Sequence, residues 1–406
     1  MYERYLNVFR THYPAKKLAP LLAVIVALSP FAIDTYLPTM PTMAKSFNVP
    51  INFIELSIPI YLIGFALGQI IGGPISDNYG RRKIGSFGLF IFFLASVAII
   101  LSESIEQFWA LRFLQAFGGG FGLVICAAVV RDLYDGKHAA KIFTLMGFIM
   151  MLAPLIAPTI GSILLAYFNW QSIFVLLSIY SFVQIFMIML FVPETKRLRR
   201  VGGYQHLPPV QVIKNYWSII TNRNALPFLL CGSFVASALF AFLTEISFLY
   251  IDYFSVTESG FAWLFGMNIV CMMIFNRLNH FLLDKLTPRK ILRIGLFIQN
   301  TAALILLSSA IFQFHNLYLV VALLMLIIGS FGIIAPNNMA CYMKNFPMTS
   351  GTANAVNGAS QFTFGAIIGL GLSFLHNGTP IPMFSVIFIS TILSFISFRF
   401  SKEIDD

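Results

Sequence analysis

The chain has 406 residues, of which 58% are hydrophobic and only 10% charged, with a formal net charge of +10. A soluble domain carries about 25% charged residues, so the composition excludes an ordinary water-solvated globule and calls for a surface that faces lipid. The cations sit in short clusters between apolar runs, which is a pattern of membrane topology rather than of a nucleic-acid-binding face.

In chain order, Arg4, Arg10, Lys16 and Lys17 precede the first apolar run. No small-residue cleavage site follows a short core, so this segment reads as an inner-side tail and not as a cleaved signal. Apolar stretches of about 20 residues, enough to cross ~30 Å of hydrocarbon, then recur at 18–41, 53–76, 84–102, 107–130, 141–166 and 171–192. After a polar stretch they resume at 225–250, 260–283, 290–311, 316–338, 351–375 and 381–399. The fold class expected is all-α: a polytopic membrane protein with twelve transmembrane helices.

With the N-terminus inside, every Lys and Arg except Lys45 and Arg112 falls in an inner segment or at its membrane edge. Glu103, Glu106, Asp252 and Glu258 fall in outer loops. One missed span would scramble that alternation, so both termini are expected on the cytoplasmic side. The domain reading is an N-terminal six-helix bundle (1–192), a cytoplasmic linker (193–224) with a surface helix near Val210–Ile220, and a C-terminal six-helix bundle (225–406).

The halves are related. Ser76–Phe90 (SDNYGRRKIGSFGLF) and Leu283–Phe297 (LDKLTPRKILRIGLF) are identical at seven of fifteen positions at an offset of 207. Asp77/Asp284, Arg82/Arg289 and Lys83/Lys290 are among them, and the offset is about half the chain, as in a tandem duplication. Two pseudo-symmetric bundles are therefore expected. Cys126, Cys231, Cys271 and Cys341 are widely spaced in or at the ends of apolar runs, so neither a disulfide framework nor a metal site is expected.

Charges within spans are costly, roughly 2.5–3.5 kcal/mol each on insertion scales, and each needs an account. Asp34 in span 1 and Arg112 in span 4 are at similar depth and of opposite sign. If the spans face each other the two can pair, either as a static lock or as a carboxylate that gains and loses a proton. The charges are absent from the second half at the matching positions, where Ala241 and Ala322 stand, which favours chemistry over folding. Glu245 in span 7 is a further candidate for proton coupling or for a cationic substrate group. Glu55, at the outer start of span 2, suits a helix N-terminus. Pro154, Pro158 and Gly161 in span 5 suit a kink or a close helix contact. Tyr36, Tyr61, Gln115, Asn268, Asn337 and Gln361 lie at span depth and are candidates to line a substrate cavity or to bond between helices.

Taken together, these residues resemble the major facilitator superfamily over the whole chain. The turn Gly73–Lys83 is similar to its loop between spans 2 and 3 (G-x-x-x-D-x-x-G-R-[RK]), and Arg112–Gly118 to its span-4 motif (R-x-x-Q-x-x-G). Ala157–Ser162 is similar to the span-5 antiporter motif (G-P-x-x-G-G), with Ala157 and Ser162 in place of glycines. Within the superfamily, Ser29–Pro38, Gly64–Gln69, Arg131–Tyr134 and Gly351–Ala353 resemble the Bcr/CflA drug-resistance transporters. That resemblance implies proton-driven export of a small drug-like molecule or metabolite, no cofactor, a small-molecule substrate, a bacterial inner-membrane location and a monomer. It also implies that Gly73, Asp77, Gly80, Arg81, Arg82 and Asp132 form an inner-side gate bracing span 11. Asn78, and Thr244-Glu245-Ile246-Ser247 where the subfamily has a small residue and proline, depart from its pattern.

An importer of a nutrient or iron chelate would use the same fold, and transport assays in both orientations separate the two. A membrane enzyme or sensor is the rival from another class. No His-Glu-x-x-His, Gly-x-Ser-x-Gly or phosphate-binding Gly-Lys-Ser/Thr pattern is present to support it.

Overall fold

The computed structural model describes residues 14–134, 136–195, 209–314, 316–346 and 349–401. The cations at positions 4 and 10 and the basic run at 196–200 lie outside the described residues. Among the described residues, twelve helical segments are long and apolar enough to cross a membrane. Spans 1 to 6 are Ala15–Phe47, Ile51–Tyr79, Arg81–Ile100, Ile105–Leu133, Lys141–Tyr167 and Gln171–Phe191. Spans 7 to 12 are Leu226–Tyr253, Glu258–Leu283, Pro288–Ile311, Leu317–Met343, Gly351–Leu375 and Ile381–Arg399. The all-α, twelve-span expectation stands. The linker helix is also there, as Pro209–Ile220.

The chain packs as two compact units, one of Met1–Tyr36 with Ile60–Ile213, the other of Leu37–Pro59 with Lys214–Asp406. In the first unit, spans 3 and 6 turn Phe87, Phe90, Leu94, Phe182, Phe186 and Leu190 outward, the apolar exposure that hydrocarbon tolerates and water does not. In the second unit Phe228, Leu292, Leu296, Ile334, Tyr342 and Phe398 form a buried core, which Ile219 of the linker helix joins.

Four spans are interrupted, among them span 2, which divides into Ile51–Glu55 and Ser57–Tyr79. Span 1 is helical over Ala15–Val26 and again over Leu28–Asp34, then passes through a 3-10 turn at Leu37–Thr39 into Met40–Phe47. Pro30 has no amide hydrogen to donate back to the preceding turn, and Pro38 repeats the problem, so the sequence itself sets these breaks. At the first break, the Val24 carbonyl accepts from the Tyr180 hydroxyl (2.7 Å) and the Gln184 amide (2.9 Å) of span 6. Span 7 ends in a π-helical turn, Phe248–Tyr253. Span 10 is divided between Leu317–Gly329 and Phe331–Met343. In span 5, by contrast, Pro154 and Pro158 sit inside a continuous helix, Gly136–Tyr167, which packs against the first helix of span 1.

Candidate functional site

Span 4 is the axis of the first unit, and small residues let its neighbours approach it closely. A Cβ on Gly64 or Gly68 of span 2 would collide with the carbonyls of Phe113 and Phe117. This backbone contact sets Tyr61 of span 2 beside Arg112 of span 4.

Arg112 is fully buried. Its guanidinium carbon lies 4.4 Å from the ring centre of Tyr36 and 4.4 Å from that of Tyr61, with Phe174 at 5.9 Å. Its Nη1 donates to Gln115 Oε1 (2.5 Å) and to the Ala32 carbonyl (3.3 Å), while Nε and Nη2 have no hydrogen-bond partner. Gln115 in turn donates to Ser96 Oγ of span 3 (2.8 Å), and the Tyr61 hydroxyl is 3.1 Å from Ser29 Oγ. Tyr36, Tyr61 and Gln115, expected as cavity residues, are thus brought together as a cage for this cation. Each ring held over a desolvated guanidinium is worth about 2 kcal/mol.

Asp34 is buried at the end of the helix Leu28–Asp34, two residues before Tyr36. It makes no ion pair with Arg112 among the described residues. The structure therefore shows Arg112 held by rings and neutral acceptors, without an ion pair to Asp34.

At the opposite end of the same unit, Arg81 is almost fully buried. It pairs with Asp77 one turn earlier (2.5 Å) and with Asp132 at the end of span 4 (Nε to Oδ2, 3.2 Å), and donates from Nη1 to Ser76 Oγ (2.6 Å). Asp132 also accepts from Thr195 Oγ1 (2.6 Å). Gly80 makes the turn at φ 110°, ψ 143°, a conformation essentially reserved for glycine. Glu194 then caps the next helix, span 3: its Oε1 accepts from the Arg81 amide (3.0 Å) and its Oε2 from the Arg82 amide (3.2 Å). A carboxylate at a helix N-terminus satisfies orphan amides and suits the dipole. Ser76 closes locally onto the Gly73 carbonyl (2.8 Å).

Glu194 and Thr195 are site residues that sequence reasoning missed. The available signal was a carboxylate immediately after span 6, on a side otherwise rich in cations. The echo at Leu283–Phe297 keeps the same arrangement with other chemistry. Thr287, in the place of Gly80, caps its helix with its own hydroxyl, which accepts from the Lys290 amide (3.4 Å). Arg289 donates to the carbonyl of Ser401 (2.6 Å), and Ser401 stands 207 residues after Glu194, at the repeat offset.

In the second unit, Asn337 of span 10 bonds Asn279 Oδ1 of span 8 (2.6 Å), an interhelical tie. Asn268 donates to the Leu264 carbonyl of its own helix (2.8 Å), and Gln361 is only partly buried.

Glu245 is fully buried and accepts or shares a hydrogen bond with His376 Nδ1 (3.2 Å). Glu55 joins them. It lies at the C-terminal end of the short helix Ile51–Glu55, fully buried, so the expected capping of a helix N-terminus does not occur. His376 lies directly after span 11, and nothing in the local sequence ties it to the two acids.

A buried guanidinium in an aromatic cage, a buried carboxylate two residues from that cage and a charge-bridged turn at the other end of the unit define a polytopic transporter. The Major Facilitator Superfamily description matches residues 22–370, and the chain belongs to that superfamily. It is 29% identical over 382 residues to a bicyclomycin resistance protein homolog of Haemophilus influenzae, covering 93% of this chain and 94% of that one. It is 28% identical over 377 residues to a chloramphenicol resistance protein of Pseudomonas aeruginosa, covering 89% and 87%. Among solved structures, the xylose transporter XylE of E. coli superposes with a TM-score of 0.74 over 95% of this chain and 96% of that one, at 13% identity, a likeness of fold. The chain is a transporter and not an enzyme, a multi-pass inner-membrane protein with a small-molecule substrate, similar to drug-resistance members of the superfamily.

Proposed function

We propose that the protein exports a small drug-like molecule or metabolite in exchange for protons, by alternating access between two six-helix bundles, 1–192 and 225–406, joined by the linker 193–224. Both termini are cytoplasmic and the working unit is a monomer. The names of the relatives, both resistance proteins, support the outward direction.

The observation that carries the reading is the state of Arg112. The cation is caged by Tyr36 and Tyr61 with two donor nitrogens to spare, and a buried carboxylate, Asp34, stands two residues from Tyr36 without an ion pair to the guanidinium. In the proposed cycle, ionised Asp34 takes Arg112 as its partner, and a proton arriving from outside releases it to the aromatic cage. The exchange changes which helices are tied together, and so biases rocking of the bundles. The Asp77–Arg81–Asp132 bridge and the Glu194 cap brace the inner end in one state and part in the other. The span-5 residues Pro154, Pro158 and Gly161 serve as packing surface for span 1. The proton gradient supplies the driving force.

The test is substrate export by everted vesicles under an imposed proton gradient. Asp34→Asn is expected to retain substrate binding while losing the response to the gradient. Unaltered gradient dependence in that variant would refute the proposal.

A further inference from the structure

Glu55, Glu245 and His376 lie outside the Asp34–Arg112 exchange proposed above, yet among the described residues they form a closely gathered polar cluster in the second unit. They come from the helix Ile51–Glu55, from span 7 and from the turn after span 11, and one ligand atom of each lies within 4.8 Å of the others. Both acids are fully buried. Glu245 Oε1 faces His376 Nδ1 at 3.2 Å and Glu245 Oε2 completes no hydrogen bond, while the Glu55 carboxylate has only the backbone amide of Phe248 to face. Two carboxylates gathered this closely in a buried setting must be neutralised, by protons or by a cation held among them.

We propose that Glu55, Glu245 and His376 bind one divalent transition-metal ion. The donors are two carboxylates and one imidazole nitrogen, a set suited to zinc and its neighbours and poorly suited to magnesium or calcium, which take oxygen ligands. Two ionised carboxylates neutralise the ion's charge, so the occupied site is uncharged overall, as a buried site requires. Donors about 2.0–2.1 Å from a tetrahedral zinc stand roughly 3.3 Å apart, and the Glu245–His376 separation of 3.2 Å already has the length of such an edge. Glu55, within 4.8 Å of the other two ligand atoms, closes the third corner by a side-chain shift of at most about 1.5 Å, leaving the fourth position for water or another ligand.

The surroundings support the assignment. The Phe248 ring stands edge-on to the His376 ring, with centroids 4.6 Å apart, and fixes its plane. The π-helical turn Phe248–Tyr253 begins just after Glu245, and π-turns concentrate at functional sites. Ser247 Oγ anchors this turn by donating to the Leu37 carbonyl (2.7 Å). His376 keeps 13% of its side chain exposed, giving an entry path to otherwise closed ligands. Asp252 lies close enough to feel both His376 and Lys45, and extends the acidic approach.

The experiment uses full-length, detergent-purified protein, with any affinity tag removed and treated with chelator, in equilibrium dialysis against zinc. One zinc per chain is expected, undisturbed by about a hundredfold excess of magnesium. Glu55→Gln, Glu245→Gln and His376→Ala should each weaken binding by at least ~10–100-fold. Cobalt bound to the unaltered protein should show the strong visible absorption of a tetrahedral N/O site, a readout that holds even if a variant fails to fold. No stoichiometric zinc on the unaltered protein overturns the proposal. So does zinc that survives all three substitutions, which would place it on other side chains. The measurement is made at rest, so its failure leaves the export reading standing, and failure of export leaves this site standing.

Discussion

If the Arg112 charge is held by aromatic faces, removing one face should cost energy only while the charge is present. Tyr61→Leu deletes a ring 4.4 Å from the guanidinium carbon and a hydroxyl 3.1 Å from Ser29 Oγ. The ring's hold on the cation is worth about 2 kcal/mol at a desolvated site, and the hydrogen bond about 1 kcal/mol. Tyr61→Phe keeps the ring and should lose only the second, smaller amount. The decisive measurement is a double-mutant cycle with Arg112→Met, read by unfolding in mixed micelles. The losses from Tyr61→Leu and Arg112→Met should fall short of additivity by about 2 kcal/mol, because the ring has no cation left to hold. Tyr36→Leu should behave alike. Coupling within about 0.5 kcal/mol of zero, the range of independent sites, would refute the cage as the means by which the buried charge is kept.

Two further outcomes concern the inner turn. Glu194→Gln turns one of the two acceptors facing the Arg81 and Arg82 amides into a donor, and charge-assisted bonds of this kind are worth about 1.5–3 kcal/mol. A lower melting temperature in detergent is expected, and an unchanged one would remove Glu194 from the brace. Gly80→Ala places a Cβ 2.5 Å from Glu194 Oε2 at a backbone angle only glycine adopts readily, so it should cost about 1–3 kcal/mol from the backbone alone. Combined with Glu194→Ala, the steric part should disappear and the backbone part remain.

The spans and the motif turn were legible in the sequence because hydropathy and loop charge respond to the bilayer, a solvent that acts on each segment separately. Arg112 was legible for the same reason, as a charge where none is tolerated without purpose. Its partners were not. Asp34 matched it in depth and sign, but depth along a span does not fix which way a side chain points, and the rings of Tyr36 and Tyr61 carry no formal charge to draw attention. Glu194 lay at the end of a span, in a stretch that reads as linker. The grouping of Glu55 with Glu245 and His376 depends on three segments far apart in the chain, which no local period encodes. Glu55 also changed meaning with a helix boundary: the same residue that suits the start of a helix was found at the end of a shorter one.

The braced turns of the two halves differ in how they answer to salt. In the first half the turn is held by ions, Arg81 between Asp77 and Asp132 with Glu194 on the helix end. In the second it is held by the Thr287 hydroxyl and the Ser401 carbonyl. Asp77 keeps 29% of its side chain exposed, so mobile ions reach the first turn, and the Debye length shrinks from about 10 Å at 0.1 M to about 3 Å at 1 M. The duplication thus left the molecule with an inner end on the first unit that ionic strength can loosen through its exposed Asp77.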